Sequence, residues 1–196
     1  MSEQLTQSPL GINSPYETTY NPAILFSVTR ANKRKELNVD LNNLPFYGRD
    51  LWYGYELSWL NARGKPIIRM ATFDVPCTTP NIIESKSLKL YLNSLNQTHF
   101  DNDVDVKKTL EQDLSAASGG LVTVTLMTVS EMEQIGFCTA PGFCLDELDI
   151  DISSYSYAPG LLTSAGGYKD EKIYSHLLKS NCLVTGQPDW GTLVVE

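Results

Sequence analysis

The chain has 196 residues, of which 42% are hydrophobic, so it can bury one or two cores and lacks the composition of a disordered protein. Its 15 basic and 23 acidic residues give a formal net charge of -8, which argues against direct binding to nucleic acid or to anionic membranes. No apolar run approaches a membrane span, and the first residues contain no hydrophobic signal core, so we expect a cytoplasmic protein.

The N-terminal part of the chain predicts an arm rather than a folded module. Residues 1–21 are mostly Ser, Thr, Gln, Pro and Asn, and we expect them to be loosely ordered and to carry little function. A basic cluster follows, made of Arg30, Lys33, Arg34 and Lys35. A solvated face is the favoured interpretation of this cluster, and a phosphate contact is the weaker alternative.

The next segment is rich in aromatic residues and predicts a β-hairpin. Tyr55, Leu57 and Trp59 alternate with polar residues, which indicates a strand with one apolar face. Residues 61–64 predict a turn, and residues 65–75 a second strand. The aromatic side chains are more typical of a core than of a surface that stacks a heterocycle.

Residues 84–96 predict an amphipathic helix with Ser85 as its N-cap and three leucines at helical spacing. A helix N-terminus exposes backbone N–H groups that can hold phosphate oxygens. Glu84, just before the helix, could accept two hydrogen bonds from the N–H edge of a guanine-like base. From spacing alone, a plain capped helix is the simpler interpretation.

The order of the remaining elements predicts the fold class. A second helix over residues 103–118 is followed by a strand over 121–129 and a fourth strand over 146–155. This order, in which two strands are followed by two helices and two further strands, is typical of an α+β fold. We therefore expect an antiparallel four-stranded sheet with both helices on one face.

Residues 178–190 predict a strand, a turn and a second strand, with Cys182 at the mouth of the loop. A thiol is nucleophilic only as the thiolate, which needs an electropositive or hydrogen-bonding setting, and Lys179 and His176 lie just upstream. Asp189, beyond the turn, could deliver or take a proton. A small buried cysteine without chemistry is the open alternative.

The four cysteines, Cys77, Cys138, Cys144 and Cys182, stand far apart without a Cys-x-x-Cys pair. This spacing indicates neither a disulfide framework nor a zinc ribbon. We expect free thiols and no metal site.

Two separate segments resemble one enzyme family. Residues 180–191, Ser-Asn-Cys-Leu-Val-Thr-Gly-Gln-Pro-Asp-Trp-Gly, are similar to the nucleophile segment of the two-module NADPH-dependent nitrile reductases. These enzymes reduce 7-cyano-7-deazaguanine in queuosine biosynthesis, a tRNA modification. Residues 84–96, Glu-Ser-Lys-Ser-Leu-Lys-Leu-Tyr-Leu-Asn-Ser-Leu-Asn, resemble the signature motif of that family. The resemblance extends from Tyr47 to Gly191.

The resemblance implies a tunnelling fold, in which modules join side by side and ligands lie at module or subunit boundaries. We expect an N-terminal arm at residues 1–46, a first module at 47–157, a linker at 158–171 and the first strands of an incomplete second module at 172–196. A homodimer or higher homo-oligomer is the expected assembly.

The resemblance also implies roles for individual residues. Cys182 would be the nucleophile that forms a thioimide with the substrate, and Asp189 the proton donor. Ile83, Glu84 and Ser85 would bind the deazapurine substrate, and Ser85 with Lys86 would bind NADPH.

A complete two-module reductase continues past its nucleophile into further helices and strands, so we expect a truncated copy or a fragment. Residues 193–195 would then form an exposed apolar strand edge. Two alternatives stay open. A non-catalytic tunnelling-fold module that serves in binding or assembly predicts an unreactive Cys182. A cysteine hydrolase predicts turnover of amides without dependence on a nicotinamide cofactor.

Overall fold

A computed structural model describes residues 7, 17–136, 138–156, 158–164, 166–182 and 184–196. Most of the segment predicted to be loosely ordered, residues 1–21, lies outside the described residues. The chain divides into two compact units, Met1–Gly136 and Phe137–Glu196. Over the described ranges, no helix is both long enough and apolar enough to cross a membrane.

The first unit contains an antiparallel three-stranded sheet in the order β2-β3-β5 and a small antiparallel pair, β1 and β4. A 3-10 helix, Pro22–Ile24, precedes them. The elements in chain order are β1 (Ser27–Thr29), α1 (Arg30–Glu36), β2 (Arg49–Leu60), β3 (Pro66–Pro76), β4 (Asn81–Ile83), α2 (Ser85–Ser94), α3 (Asp103–Ser118), β5 (Thr123–Met127) and α4 (Val129–Met132).

One hydrophobic core holds the first unit together. Helices α2 and α3 pack on the same face of the β2-β3-β5 sheet, as the sequence predicted. The buried core residues are Leu57, Trp59, Ala71, Phe73, Val75, Ile83, Leu88, Tyr91, Leu95, Val106, Leu110, Leu114, Val122 and Val124. Because α2 belongs to this core, the chain just before it is held in place at Glu84.

A β-bulge changes the predicted face of β2. The register of β2 against β3 shifts between Gly54 and Leu57. Leu57 and Trp59 are each 1% exposed, but Tyr55 is 62% exposed. The prediction that all three share one apolar face is therefore wrong, because the extra residue of a bulge reverses the in-and-out alternation. Tyr55 is left on the surface beside α2.

Truncation of Leu110 is expected to destabilise the first unit. Its side chain lies in the core on α3 with 0% exposure, so Leu110→Ala should lower the free energy of unfolding by about 3 kcal/mol through lost burial and a residual cavity. Urea denaturation measures this change. Val104→Ala, at a 71% exposed position of the same helix, should change the free energy of unfolding by less than about 0.5 kcal/mol. Equal effects of the two variants would contradict this packing.

The second unit contains a three-stranded sheet in the order β6-β7-β8. Its strands are β6 (Phe143–Cys144), β7 (Ile173–Asn181) and β8 (Pro188–Val195), and its 3-10 helices are Leu145–Glu147 and Pro159–Leu161. β6 is parallel to β7, and β7 is antiparallel to β8. The predicted strand, turn and strand around Cys182 are confirmed. Every residue of β8 is exposed.

The predicted fourth strand, residues 146–155, does not form. Its start lies in the 3-10 helix, and the described residues after Glu147 carry no strand until β7. The alternating Leu148, Ile150 and Ile152 are 45%, 64% and 58% exposed, so the described residues do not bury them as a core strand would be buried. Asp146 instead bonds to β7, where it accepts hydrogen bonds from the Ser175 hydroxyl at 2.6 Å and the His176 amide at 2.9 Å. The α+β class is confirmed, but the sheet of the first unit has three strands.

Candidate active-site residues

The first turn of α2 is capped by Glu84 and not by Ser85, which corrects the sequence prediction. The Glu84 carboxylate accepts the backbone N–H of Lys86 on Oε1 and that of Ser87 on Oε2, both at 2.8 Å. A carboxylate on the residue before the first helical turn satisfies two otherwise unpaired amides and complements the positive end of the helix dipole. Glu84 is 6% exposed, so this arrangement is largely shielded from water.

This capping changes what the first turn can bind. The amides of Lys86 and Ser87 are already used by Glu84, so they are not available to phosphate oxygens. Contacts to a phosphate at this turn must come mainly from side chains such as those of Ser85 and Lys86. Oε1 also accepts a long hydrogen bond from the Ser85 hydroxyl at 3.4 Å, whereas Oε2 keeps a second lone pair that can accept a hydrogen bond from a ligand.

A groove of about 410 Å³ lies between β2 and α2, next to Ser85. Its surface combines aromatic, apolar and polar side chains. The rings of Tyr53 and Tyr55 are stacked with centroids 6.2 Å apart and an interplanar angle of 21°. The groove is lined by Trp52, Tyr53, Gly54, Tyr55, Glu56, Leu57, Phe73, Ser85, Leu88, Lys89, Leu92 and Asn93.

Sequence reasoning missed the polar edge of this groove, although a signal for it was present. Ser85, Lys89 and Asn93 are four residues apart, so they lie along one side of α2. Sequence reasoning also favoured core packing for the aromatic residues. That holds for Trp59, but Tyr53 and Tyr55 are 50% and 62% exposed.

The basic cluster on α1 is mostly engaged within the protein. Arg30 pairs with Asp50, and Lys33 pairs with Glu36 at 2.7 Å. Arg34 donates to the carbonyl oxygen of Cys77. These partners favour a structural and solvated role for the cluster over a phosphate site.

Cys182 follows directly after β7, at the start of a tight loop. Its amide donates to the Gln187 carbonyl at 2.8 Å, and its carbonyl accepts the Gly186 amide at 2.9 Å. Gly186 has φ +70°, a left-handed conformation that glycine adopts without strain. The loop therefore holds the backbone of Cys182 from both sides, and the residue is half-buried.

Hydrogen bonds within this loop lower the pKa of the Cys182 thiol. The largest contribution is the Thr185 hydroxyl, followed by the amides of Thr185 and Val184. The Thr185 amide nitrogen lies 3.4 Å from Sγ. Partial burial and the negative charge of Asp189 act in the opposite direction. The net effect is a lowered pKa, which increases the fraction of the thiolate, the nucleophilic form.

The structure does not use Lys179 or His176 as the source of this activation. The Lys179 ammonium lies 5.6 Å from the ring centroid of Trp190, and His176 Nδ1 lies 2.7 Å from the Thr192 hydroxyl oxygen. Thr185 takes the role that sequence reasoning gave to these two residues. Its position three residues after Cys182, in a Thr-Gly turn, is the signal that indicates a local donor to sulfur.

Asp189 lies in β8 directly opposite Ser180 of β7. Its negative charge acts to raise the pKa of Cys182, against the larger lowering by the loop hydrogen bonds. In the part of the chain that the structure describes, no hydrogen bond joins the Asp189 carboxylate to Sγ.

Replacing Thr185 is expected to reduce the reactivity of Cys182. Thr185→Val removes the hydroxyl donor but keeps the side-chain shape, so the pKa of Cys182 should rise and alkylation by iodoacetamide at neutral pH should slow severalfold. The pH midpoint of alkylation, followed at the Cys182 peptide by mass spectrometry, should move upwards. Thr185→Ser keeps the hydroxyl and should behave like the parent protein. Unchanged alkylation in Thr185→Val would show that the hydroxyl does not act on the sulfur.

Comparison with known proteins places the chain in a family. Residues 16–126 match the family model described as "Nitrile reductase, 7-cyano-7-deazaguanine-reductase N-term". Two relatives are each called NADPH-dependent 7-cyano-7-deazaguanine reductase. The protein from Azoarcus sp. (strain BH72) is 50% identical over 189 residues, and that from Dechloromonas aromatica (strain RCB) is 51% identical over 190 residues. Each alignment covers 96% of this chain and 67% of the relative. This chain therefore belongs to the family of 7-cyano-7-deazaguanine nitrile reductases.

Proposed function

We propose that the chain catalyses the NADPH-dependent reduction of the nitrile of 7-cyano-7-deazaguanine to the aminomethyl product. The observation that carries this proposal is the alignment of 96% of the chain with two reductases at 50% and 51% identity. The activated Cys182 supports it from the structure, because a lowered thiol pKa suits a nucleophile. The reaction would belong to queuosine biosynthesis in the cytoplasm.

On the substrate side, we assign Glu84, Ile83 and Ser85 to the deazapurine. Oε2 of Glu84, and Oε1 once the Ser85 hydroxyl turns from it towards the ligand, can accept N–H groups from the edge of the base. Ile83 is 6% exposed and offers apolar contact, and the exposed Ser85 hydroxyl can donate or accept a hydrogen bond. The cap bonds at 2.8 Å hold the carboxylate in one orientation before the ligand arrives.

For the cofactor, we assign Ser85 and Lys86 to NADPH. The groove beside Ser85 fits a part of this molecule, because about 410 Å³ is within the usual range for small-molecule sites. Lys89, at the same groove, forms no ion pair with any described residue and could face a phosphate. Glu56 also lines the groove, so the groove carries one negative and one positive side chain. When bound, NADPH supplies the two hydrides that take a nitrile to a primary amine.

At the nucleophile, we propose covalent catalysis by Cys182. The thiolate adds to the nitrile carbon, so that a C–S bond forms and one C–N π bond breaks. Asp189 accepts the proton that the Cys182 thiol loses and passes it to the nitrogen, which gives a thioimide. Hydrogen bonds from Thr185 and Val184 stabilise the thiolate before the attack, and they stabilise it again when the C–S bond breaks and the thiolate reforms.

Intact-protein mass spectrometry with 7-cyano-7-deazaguanine, in the absence of NADPH, tests the covalent step. The expected result is an adduct of one substrate mass. A parallel assay should show NADPH oxidation only when the nitrile is present, with two NADPH consumed per nitrile. Amide hydrolysis without NADPH would instead favour a cysteine hydrolase. A folded chain without adduct or NADPH oxidation would favour a binding or assembly module.

We also propose that the protein assembles as a homodimer or a higher homo-oligomer. Leu193, Val194 and Val195 of β8 are 45% to 49% exposed, and an exposed apolar strand is a surface that another chain can cover. Light scattering should give a native mass well above the 21.8 kDa of one chain. A mass of one chain at micromolar concentration would contradict this assembly.

A further inference from the structure

Two buried serines on α2 hold the segment that precedes β2. Ser87 and Ser94 are seven residues apart, so they lie on the same face of the helix, and both are 0% exposed. The Ser87 hydroxyl oxygen accepts the Phe26 amide at 3.0 Å, and the Ser94 hydroxyl oxygen accepts the Asn21 amide at 3.2 Å. Residues 20–29, which we call the N-terminal strap, are thus aligned on α2 at two points.

Further contacts fix the strap on both helices. The hydroxyl of Tyr20 and that of the buried Tyr91 both donate to Oδ2 of Asp113 on α3, each at 2.6 Å. The Ser27 hydroxyl donates to the Ala117 carbonyl at 2.7 Å. In addition, β1 at the end of the strap pairs with β4, directly before Glu84. The strap is therefore part of the folded unit.

Ser87 differs from Ser94 in that it is bonded to Glu84. Its hydroxyl donates to the Glu84 carbonyl at 2.7 Å, and its amide donates to Glu84 Oε2 at 2.8 Å. The Glu84 amide in turn donates to the Phe26 carbonyl at 2.9 Å. These bonds close a ring through Phe26, Ser87 and Glu84. Ser94 makes the same kind of bonds to Asn21 and to the Tyr91 carbonyl, but it lies ten residues after Glu84.

We propose that Ser87 is a positioning residue, which holds Glu84 against the N-terminal strap so that the carboxylate meets the deazapurine in one orientation. The proposal rests on the proposed function, in which Glu84 binds the substrate. Loss of the Ser87 hydroxyl would leave the Phe26 amide without its partner and would remove one of the two hydrogen bonds to the Glu84 carbonyl, which keeps only the Leu88 amide at 3.0 Å. The Glu84 backbone is then held less firmly against the strap. The strap then has a part in ligand binding, although its first residues were expected to carry little function.

Ser87→Ala and Ser94→Ala form a matched pair for the test. Each removes one buried hydroxyl with one bond to the strap and one to the helix, but only Ser87 contacts Glu84. The dissociation constant for 7-cyano-7-deazaguanine is measured by calorimetry in a Cys182→Ala background, which prevents the covalent step. We expect Ser87→Ala to raise this dissociation constant about tenfold and Ser94→Ala to raise it less than about twofold. Both variants should lower Tm by a similar amount.

Equal weakening by both variants would overturn the proposal, since the strap would then act only through general stability. An unchanged dissociation constant in Ser87→Ala would overturn it as well. If the Cys182→Ala parent binds no deazapurine, the proposed function itself is contradicted. In that case, amide hydrogen exchange at residues 86 and 87, measured on the protein without ligand, tests whether Ser87 positions Glu84. Faster exchange in Ser87→Ala than in Ser94→Ala supports it, and equal exchange overturns it.

Discussion

Replacing Cys182 with alanine should abolish the adduct with 7-cyano-7-deazaguanine and lower nitrile-dependent NADPH oxidation by about 10⁴-fold or more. The effect is large because the reaction loses the atom that binds the nitrile carbon. Thr185 cannot replace it, since its neutral hydroxyl is a far weaker nucleophile than a thiolate. The adduct is measured as intact mass and the turnover as NADPH absorbance.

Cys138→Ala is the control for this experiment, because Cys138 is an exposed free thiol in the same unit. It should keep both the adduct and the NADPH oxidation of the parent protein. An adduct that persists in Cys182→Ala but disappears in Cys138→Ala would move the nucleophile to Cys138. Loss of the adduct in both variants would point to a general failure of the fold of the second unit.

Elements with a strong local pattern were predictable from the sequence. The helix predicted over residues 103–118 forms as α3 with the same bounds, and Val106, Leu110 and Leu114 are at most 1% exposed. The fourth strand at 146–155 was not predictable in this way, because a strand also needs a partner that lies far away in the sequence. The bulge after Gly54 depends likewise on the pairing between β2 and β3.

In the candidate site, too, features set by local sequence were predictable, and features that depend on distant residues were not. The hairpin around Cys182 was predictable because Gly186 and Pro188 are turn residues next to two β-like runs. The choice of Glu84 over Ser85 as N-cap was not, since both are polar and adjacent, and the position of β4 decides where α2 begins. The bond from Ser87 to the strap joins residues 61 positions apart, which no local pattern reveals.

The replacement Glu84→Gln is expected to weaken binding of 7-cyano-7-deazaguanine about 10³-fold. Two hydrogen bonds to a charged acceptor contribute about 4 kcal/mol together, and an amide can neither carry the charge nor accept on its nitrogen. That NH₂ group would also face the amide of Lys86 or Ser87, so the cap of α2 is weakened. The dissociation constant is measured by calorimetry in the Cys182→Ala background.

The loss of a helix cap must be separated from the loss of a ligand contact, and Asn102 provides the control. Asn102 Oδ1 caps α3 in the same unit by accepting the Asp105 amide at 3.0 Å. Asn102→Ala should therefore lower the free energy of unfolding by about 1 kcal/mol, as we also expect for the damaged cap in Glu84→Gln. Unlike Glu84→Gln, it should not weaken the deazapurine complex. If Asn102→Ala weakens the complex as much as Glu84→Gln, the carboxylate acts only as a cap. If only Glu84→Gln weakens it, the same carboxylate both begins the helix and binds the base.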